Sequence, residues 1–286
     1  MIKSANKIWE EIGVVNNIKF EFSRVGNGIP ILIAKDYLKF PDKVRDFFNN
    51  GMWWENDSLN DVRPGKSFLI HQDLVEWFNM PFAKSFSAIF GLNYIKTDVT
   101  FGNNFNGNMP LRDVKSAFPH VDLLGGAGVS IHDQYMSSPH VAFNINLTES
   151  VYPVATGFWS FNNIKSLLDC SYNDQRENNA FFRNLSMDET GIDWFQIKDY
   201  GPWKLEGIHE MMYNSIAAYP THFFHSPYIQ PEWFTDTDRI TISSFLNTSP
   251  ENLDFEEKNI DDISYAWEFF HLDKIHNYHP KKTVPN

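Results

Sequence analysis

The sequence predicts a mostly β protein, with flanking helices around a β-sandwich core of jelly-roll type. From about residue 94 onward, short apolar runs alternate with clusters of Gly, Asn and Pro, which is typical of short strands joined by turns. The runs are 94–101, 117–124, 139–148, 154–161, 207–219, 221–225 and 238–246. Apolar residues at helical spacing occur before and after this series, which places helices at both ends.

The N-terminal region predicts one strand and then helices. The apolar stretch 29–38 predicts a buried strand that leads into a turn. Residues 41–50 begin with proline and are followed by glycine, as expected for a helix. Arg63-Pro-Gly-Lys predicts a turn, and helical spacing in 72–90 predicts a second helix, which Pro81 kinks or breaks.

The pattern divides the chain into three regions. Residues 1–93 provide a strand and helices that pack on the core, 94–250 form the core, and 251–286 form a closing helix and a tail. Inside the core, the polar, Asn-rich segment 164–197 predicts an insertion between two strands. In the last region, apolar positions at helical spacing predict a helix over 260–277.

Composition narrows the classes of function and location. Among 286 residues, 24 are Lys or Arg and 36 are Asp or Glu, which gives a formal charge of −12. A surface this acidic repels phosphate backbones and anionic lipids, so neither nucleic acid nor a membrane is an expected partner. Cys170 is the single cysteine, and the sequence has no signal-peptide pattern and no apolar run of spanning length. We therefore expect a cytoplasmic protein.

Three His-X-Asp pairs are candidates for metal ligands. They are His71/Asp73, His120/Asp122 and His271/Asp273. Two imidazoles and one carboxylate on one side of a metal leave positions open for other ligands, as in non-haem iron(II) enzymes. The first pair precedes a helical pattern, and the third lies on or just beyond the C-terminal helix, where positions i and i+2 do not share a face. A His-X-Asp pair alone is weak evidence for a metal site, so the sequence around each pair decides which of the three is the best candidate.

The middle pair has the most suitable context. His120 and Asp122 lie in a short apolar strand, Phe118-Pro-His-Val-Asp-Leu-Leu, where positions i and i+2 point to the same side. A second histidine must come from a distant strand, and both His222 and His225 are available. The alternative for the middle pair is a hydrogen-bonded pair at the mouth of a barrel, without a metal.

Arg239 and Thr241 provide a candidate anion site. They occupy positions i and i+2 of a predicted strand, so both side chains face the same side. A guanidinium fork beside a hydroxyl suits one carboxylate, which would be the far end of 2-oxoglutarate, whose keto acid end chelates a metal. The alternative is a weak surface ion pair between Arg239 and Asp236 or Asp238.

Five motifs follow one another in an order that resembles a known family. They are Pro119-His-Val-Asp, His140-Val-Ala-Phe-Asn-Ile-Asn-Leu, Ala155-Thr-Gly-Phe-Trp, Tyr213-Asn-Ser-Ile-Ala-Ala-Tyr-Pro with a later His, and Arg239-Ile-Thr, after an early Pro64-Gly-Lys-Ser-Phe turn. The order resembles the prolyl-4-hydroxylase-like branch of the 2-oxoglutarate- and iron(II)-dependent oxygenases. It is similar in detail to a bacterial subfamily of that branch without an assigned activity. The resemblance covers about residues 28–247.

The resemblance implies a double-stranded β-helix core, of the jelly-roll or cupin-like kind, with Fe(II) as cofactor and 2-oxoglutarate and O2 as cosubstrates. The spacing Tyr-Pro-X-X-X-X-His makes His225 the second histidine ligand. Asn144 occupies the strand position at which relatives often have a cosubstrate-binding tyrosine, so it joins Arg239 in the cosubstrate site. A later Asn-Arg pair of the family corresponds to Asn214-Ser215, a difference expected to affect packing.

The implied activity is hydroxylation of an unactivated C–H bond in an amino acid, a peptide or another small metabolite. Asp122 argues against halogenation, which needs that ligand position open for halide. A cupin-like metalloenzyme would not depend on 2-oxoglutarate, and a non-enzymatic β-sandwich binding or structural protein would bind neither iron nor 2-oxoglutarate. Trp159 and Trp203 are expected in the core, and the C-terminal helix could pack on a second copy to form a homodimer.

Overall fold

The computed structural model describes residues 18–26, 28–49, 66–69, 94–95, 100–108, 119–122, 141–166, 199–200, 203–230 and 232–248. The predicted helices 72–90 and 260–277, most of the insertion 164–197, and the pairs His71/Asp73 and His271/Asp273 lie outside the described residues. The helix found in the described part is α1, Pro41–Asn49, where a helix was predicted. In that same part of the chain, no helix has the length and hydropathy needed to cross a membrane.

Strands make up most of the described structure and form two antiparallel sheets. In chain order they are β1 Glu21–Val25, β2 Ile29–Ala34, β3 Lys66–Leu69, β4 Tyr94–Ile95, β5 Thr100–Phe105, β6 Val141–Asn146, β7 Ala155–Phe161, β8 Asp199–Tyr200, β9 Trp203–Glu210, β10 Ile216–Pro220, β11 His225–Tyr228 and β12 Arg239–Thr248. The larger sheet has the order β1-β2-β10-β6-β12-β5-β3, with β4 beside β12, and the smaller has the order β11-β7-β9-β8. The prediction of a mostly β protein is confirmed, and the two sheets are consistent with a β-sandwich.

The strands pair in a nested order along the chain. β5 pairs with β12, the segment around His120 with β11, β6 with β10, and β7 with β9. The first of these segments thus pairs with the last, the second with the second last, and so on inward. Successive pairs fall alternately in the larger and the smaller sheet. Segments that are far apart in sequence therefore become neighbours, and His120 comes to lie beside β11.

Apolar side chains connect the two sheets. Phe158 of β7 packs edge-on against Tyr219 of β10, with ring centroids 5.2 Å apart. Trp159 and Trp203 are buried, as predicted. In the larger sheet, β10 is buried over its whole length, so both of its faces are covered. A strand covered on both faces gives a continuous apolar run instead of an alternating one, which is why the predicted run 207–219 includes most of β10.

The predicted run 207–219 is two strands rather than one. β9 ends at Glu210 and β10 begins at Ile216, and between them Asn214 has a φ of +56°. This left-handed conformation interrupts a strand, and Asn tolerates it better than most residues. The Asn214 amide donates to the Leu38 carbonyl at 2.9 Å and accepts from the Leu38 N–H at 2.8 Å. The turn before β10 is therefore tied to the segment before α1.

The prediction of a strand over 221–225 is wrong. Thr221 and His222 form a turn, and β11 begins only at His225. Pro220 ends β10, because its ring nitrogen has no hydrogen to continue the ladder. Because of this turn, the chain leaves the larger sheet after β10. His225 therefore belongs to the smaller sheet and does not extend β10.

Strands β1 and β3 were not predicted from the sequence. β3 directly follows the predicted Arg63 turn, and β1 reverses into β2 through a turn in which Gly26 and Gly28 have φ values of +55° and +101°. This turn lies against β9. A β-carbon on Gly207 would come within 2.6 Å of the Gly26 nitrogen, so only glycine allows the two segments to approach this closely.

Replacing Asn214 tests the link between β10 and the helix region. Asn214→Ala should lower the free energy of unfolding by about 2 kcal/mol, because it removes two buried hydrogen bonds and places alanine at a positive φ. Asn163, which is exposed and has a φ of +67°, provides the matched control. Asn163→Ala should lower the free energy of unfolding by about 1 kcal/mol, which is the contribution of placing alanine at a positive φ. Urea unfolding measures both, and equal losses would contradict the role of the Leu38 bonds.

His209 of β9 should make the fold less stable in mild acid. Burial lowers the pKa of His209 to about 4, and its Nε2 has no hydrogen-bond partner among the described residues. Between pH 6.5 and pH 4 the unfolded chain therefore binds a proton that the folded chain does not, and stability falls as the pH decreases. His209→Gln should flatten this slope in urea unfolding measured across that range. Parallel slopes for the two proteins would rule out this contribution.

Candidate metal centre

Main-chain hydrogen bonds hold the His120 segment against β11. His120 N donates to His225 O at 2.8 Å, and His225 N donates to His120 O at 2.9 Å. Asp122, two residues after His120, is also held by a main-chain bond, because its N–H donates to Thr221 O at 3.3 Å. Within the four described residues of this segment, the predicted strand 117–124 is a single bridge. His120 and Asp122 are thus held in place by main-chain bonds to His225 and Thr221, and not by a long strand of their own.

The structure brings the three predicted metal ligands together. One ligand atom from each of His120, Asp122 and His225 lies within 4.8 Å of the others. Asp122 Oδ2 is 3.0 Å from His225 Nε2, and Asp122 Oδ1 is 3.8 Å from His120 Nε2. The two imidazole rings are tilted by 50°, with centroids 4.6 Å apart. Two ring nitrogens and one carboxylate therefore converge, which is the donor set of a 2-His-1-carboxylate metal site.

A main-chain carbonyl sets the proton position on His225. The Nδ1 atom of His225 lies 2.9 Å from Phe223 O. Because a carbonyl only accepts, Nδ1 carries a hydrogen and donates it. In the neutral ring, the lone pair is then on Nε2, 3.0 Å from the Asp122 carboxylate. Two lone pairs at this distance repel each other unless a proton or a metal ion lies between them, so the arrangement can hold a bound metal.

The other downstream histidine, His222, lies apart from the cluster. It is fully buried, and its Nδ1 is 2.7 Å from Ser166 Oγ. Its ring packs on Phe223, with centroids 4.5 Å apart. The turn at residues 221–222 gives the two histidines different directions, so the structure places His225, and not His222, beside Asp122.

A cavity between the two sheets joins this cluster to the candidate anion site. The cluster lies on the wall formed by the smaller sheet, together with Thr156 and Ser226. The wall formed by the larger sheet includes Asn103, Asn144, Tyr219, Arg239, Thr241 and Ser243. Three of these side chains occupy alternate positions of β12 and therefore face the same side. All six predicted site residues thus line one cavity.

Arg239 is a buried cation with no carboxylate partner in the part of the chain that the structure describes. Its Nε atom has no hydrogen-bond partner there. Burial lowers the pKa of Arg239 to about 10, and nearby Tyr219 acts in the opposite direction, so the guanidinium stays charged at neutral pH. The adjacent Asp238 instead accepts hydrogen bonds from the Asn104 and Asn106 amides at 2.9 and 2.8 Å. The alternative of a surface ion pair is therefore not what the structure contains, and the buried charge calls for an anion.

Asn144 faces the cavity, but its amide also binds two neighbouring side chains. It accepts a hydrogen bond from Ser243 Oγ at 2.5 Å and donates one to Tyr219 Oη at 3.0 Å. Asn103 Nδ2 in turn donates to Ser243 Oγ at 2.8 Å. Sequence reasoning missed Tyr219, Asn103 and Ser243 as site residues. Tyr219 was part of a recognised motif, but the direction of its side chain depends on how β10 pairs with β6, which residue spacing does not reveal.

No family model matches the chain, and a search of curated proteins finds no match. The site is therefore interpreted from its own geometry.

Removal of a ligand should abolish tight metal binding. We expect Fe(II), or Co(II) as an air-stable substitute, to bind with one equivalent per chain. Asp122→Ala and His225→Ala should each weaken this affinity by about 100-fold or more, since each removes one of three convergent donors. Competition with a coloured chelator under argon measures the affinity.

His209→Gln is the matched control for the loss of a histidine. His209 lies on β9 and does not belong to the cluster, so this variant should keep the wild-type metal affinity. Wild-type affinity in His225→Ala, with a normal unfolding curve, would exclude the cluster as the metal site.

Proposed function

We propose that this protein is a non-haem Fe(II)- and 2-oxoglutarate-dependent oxygenase that hydroxylates an unactivated C–H bond of an amino acid, a peptide or another small metabolite. The observation that carries the proposal is the position of a His-Asp-His cluster and a buried Arg239 on the walls of one cavity. The cluster offers donors for a divalent metal, and Arg239 offers a partner for a carboxylate. A cosubstrate with a keto acid at one end and a carboxylate at the other fits this pair of sites.

The nested strand order supports a double-stranded β-helix as the finer description of the fold. With β8 left aside, eight segments from β5 to β12, including the one at His120, pair as one antiparallel ribbon of two strands. A ribbon that winds back and forth between two sheets is a jelly-roll arrangement. In this arrangement the second and seventh segments are neighbours, and these are the segments that carry His120 and His225.

His120, Asp122 and His225 would hold the iron. Two imidazoles and one carboxylate suit Fe(II) and leave coordination positions for a chelating cosubstrate and oxygen. The carbonyl of Phe223 orients one ring, and the paired main chains hold both ligand segments in place. The donors are therefore arranged in advance, which reduces the cost of ordering them when the metal binds.

Arg239 and Thr241 would bind the far carboxylate of 2-oxoglutarate. Both lie on β12 and line the cavity. A carboxylate here would supply the counter-charge that Arg239 lacks among the described residues. Hydrogen bonds between a guanidinium and a carboxylate are strong in a buried site, because little water competes for either group.

Iron(II) and 2-oxoglutarate, when bound, supply oxidative decarboxylation to succinate and carbon dioxide and the activation of oxygen for C–H hydroxylation. The residues of the chain bind and orient these groups and exclude water. Ala142, Phe143 and Phe245 add apolar surface to the polar cavity wall. Asp122 fills the ligand position that a halide would need, which favours hydroxylation as the outcome.

Two alternatives explain less of the site. A cupin-like metalloenzyme that does not use 2-oxoglutarate would share the two sheets and the histidines, but it would have no use for a buried Arg239 in the same cavity. A binding or structural β-sandwich would need neither the convergent ligands nor the buried cation. Burying an arginine without a counter-charge is costly, so the binding of an anionic cosubstrate in this cavity accounts best for Arg239.

The role of the Arg239 guanidinium in cosubstrate binding can be tested separately from the role of the metal ligands. Under anaerobic conditions, wild-type protein with Fe(II) and 2-oxoglutarate should develop a visible charge-transfer band. Arg239→Gln should weaken 2-oxoglutarate binding by at least about tenfold, because a charged hydrogen bond is lost. Its Fe(II) affinity should equal that of the wild type. Titration of the band and chelator competition measure the two affinities.

The same experiment separates the alternatives. A folded wild-type protein that binds iron but gives no band with 2-oxoglutarate would support the cupin-like alternative. Absence of iron binding would support the binding-protein alternative. Admission of oxygen to the complete complex should produce succinate, and its absence in Asp122→Ala serves as the control for metal-dependent turnover.

A further inference from the structure

We infer that Ser166 positions two of the three candidate metal ligands through its hydrogen bond to His222. The inference rests on the proposed function, because it concerns the metal centre on which that function depends. It also gives a role to His222, the downstream histidine that lies apart from the cluster. The two side chains act through the main chain between β10 and β11, residues 221–224, which we call the supporting turn.

Two carbonyl groups of the supporting turn hold ligand residues. Thr221 O accepts a hydrogen bond from the main-chain N–H of Asp122 at 3.3 Å. Phe223 O accepts one from Nδ1 of His225 at 2.9 Å, and Nε2 of that ring lies 3.0 Å from the Asp122 carboxylate. A displacement of the supporting turn therefore moves both ligand groups. Metal affinity depends strongly on the groups that hydrogen-bond to the ligands.

Residues 164–166 hold the other side of the supporting turn. Phe224 N donates to Lys165 O at 3.1 Å, and Ser166 forms an isolated antiparallel bridge with Phe223. The sequence pattern placed these three residues at the start of an insertion, whereas the structure pairs them with the main chain beside the metal ligands. The segment therefore belongs to the framework of the site.

The hydrogen bond between Ser166 and His222 adds side chains to this support. Ser166 Oγ lies 2.7 Å from Nδ1 of His222, and both residues are buried, with exposed fractions of 2% and 0%. The imidazole ring packs on Phe223, with ring centroids 4.5 Å apart. Removing the hydroxyl takes a partner from a buried ring nitrogen, which is costly, so the ring and the turn that carries it are expected to shift. The bond therefore determines where the two carbonyl groups point.

Ser166→Ala is the direct test of this role. The variant should bind Fe(II) or Co(II) about tenfold more weakly than the wild type, because the supporting turn then holds Asp122 and His225 less firmly. The visible absorption bands of the Co(II) protein should also shift, since they report the arrangement of the donor atoms around the metal. Chelator competition under argon measures the affinity, and the spectrum is recorded at saturating Co(II).

Ser215→Ala is the matched control. Ser215 is also a buried serine whose hydroxyl fixes a turn, since its Oγ donates to Met212 O at 2.6 Å. That turn precedes β10, whereas the supporting turn follows it. The control therefore loses a comparable hydrogen bond at the opposite end of the same strand. Urea unfolding should show a loss of stability in both variants, but Ser215→Ala should keep the metal affinity and the Co(II) spectrum of the wild type.

Hydrogen exchange tests the same coupling in the wild-type protein. Coupling between two sites is reciprocal, so a contact that strengthens metal binding is itself strengthened by the metal. Saturating Co(II) should slow exchange of the Phe224 amide, which donates to Lys165 O, by about the same tenfold factor. The Met211 amide donates to Val154 O at 2.8 Å, before β10 and outside the cavity lining, and should change little. Mass spectrometry of short peptides measures both rates.

Wild-type metal affinity and an unshifted Co(II) spectrum in folded Ser166→Ala would overturn the inference. Equal losses of affinity in Ser166→Ala and Ser215→Ala would overturn it as well, because they would reflect lower stability alone. If Ser166→Ala does not fold, an unchanged exchange rate of the Phe224 amide on metal binding would overturn it instead. A folded wild-type protein that binds no metal would refute the proposed function itself, so the two failures are distinguishable.

Discussion

Two main-chain hydrogen bonds between His120 and His225 are the constraint on which the candidate site depends. They hold two segments that are distant in sequence in register, so that both imidazoles emerge side by side. The carboxylate of Asp122 follows two residues later and is placed by a third main-chain bond, to Thr221. Main-chain bonds do not depend on the side chain, so the framework of the site is separate from its chemistry.

The two walls of the cavity contain groups that stability alone does not explain. A buried guanidinium without a carboxylate partner among the described residues costs free energy, and the convergence of two imidazoles and a carboxylate on one point is a second feature that packing does not require. Natural proteins depart from the most stable choice mainly at functional sites. Both departures lie in one cavity, and the apolar packing around Phe158 and Ile242 supplies the rigid support that such a site needs.

The sequence predicted the parts of the fold that depend on local pattern. β2, β6, β7 and β12 are apolar runs, and residues 120, 122 and 239 could be chosen because metal and carboxylate chemistry restricts residue type. Residue type left His222 and His225 both open, and the resemblance selected His225. The division of 207–219 depends on the backbone conformation of Asn214, and β1 and β3 are short and partly polar, so pattern did not reveal them. The place of Tyr219 in the site follows from strand register, which is a tertiary property. The helices predicted over 72–90 and 260–277 stay predictions.

The nested pairing also bears on how the native chain assembles. Each inner rung of the ribbon, first β7 with β9 and then β6 with β10, shortens the loop that the next rung must close, which lowers its entropic cost. The metal ligands lie on the third rung and Arg239 on the outermost, between β5 and β12. If winding proceeds from the inside outward, both ligand positions are completed in the last steps. A bound metal or anion would then act on the final closure, slowing its reopening rather than speeding the early steps of folding.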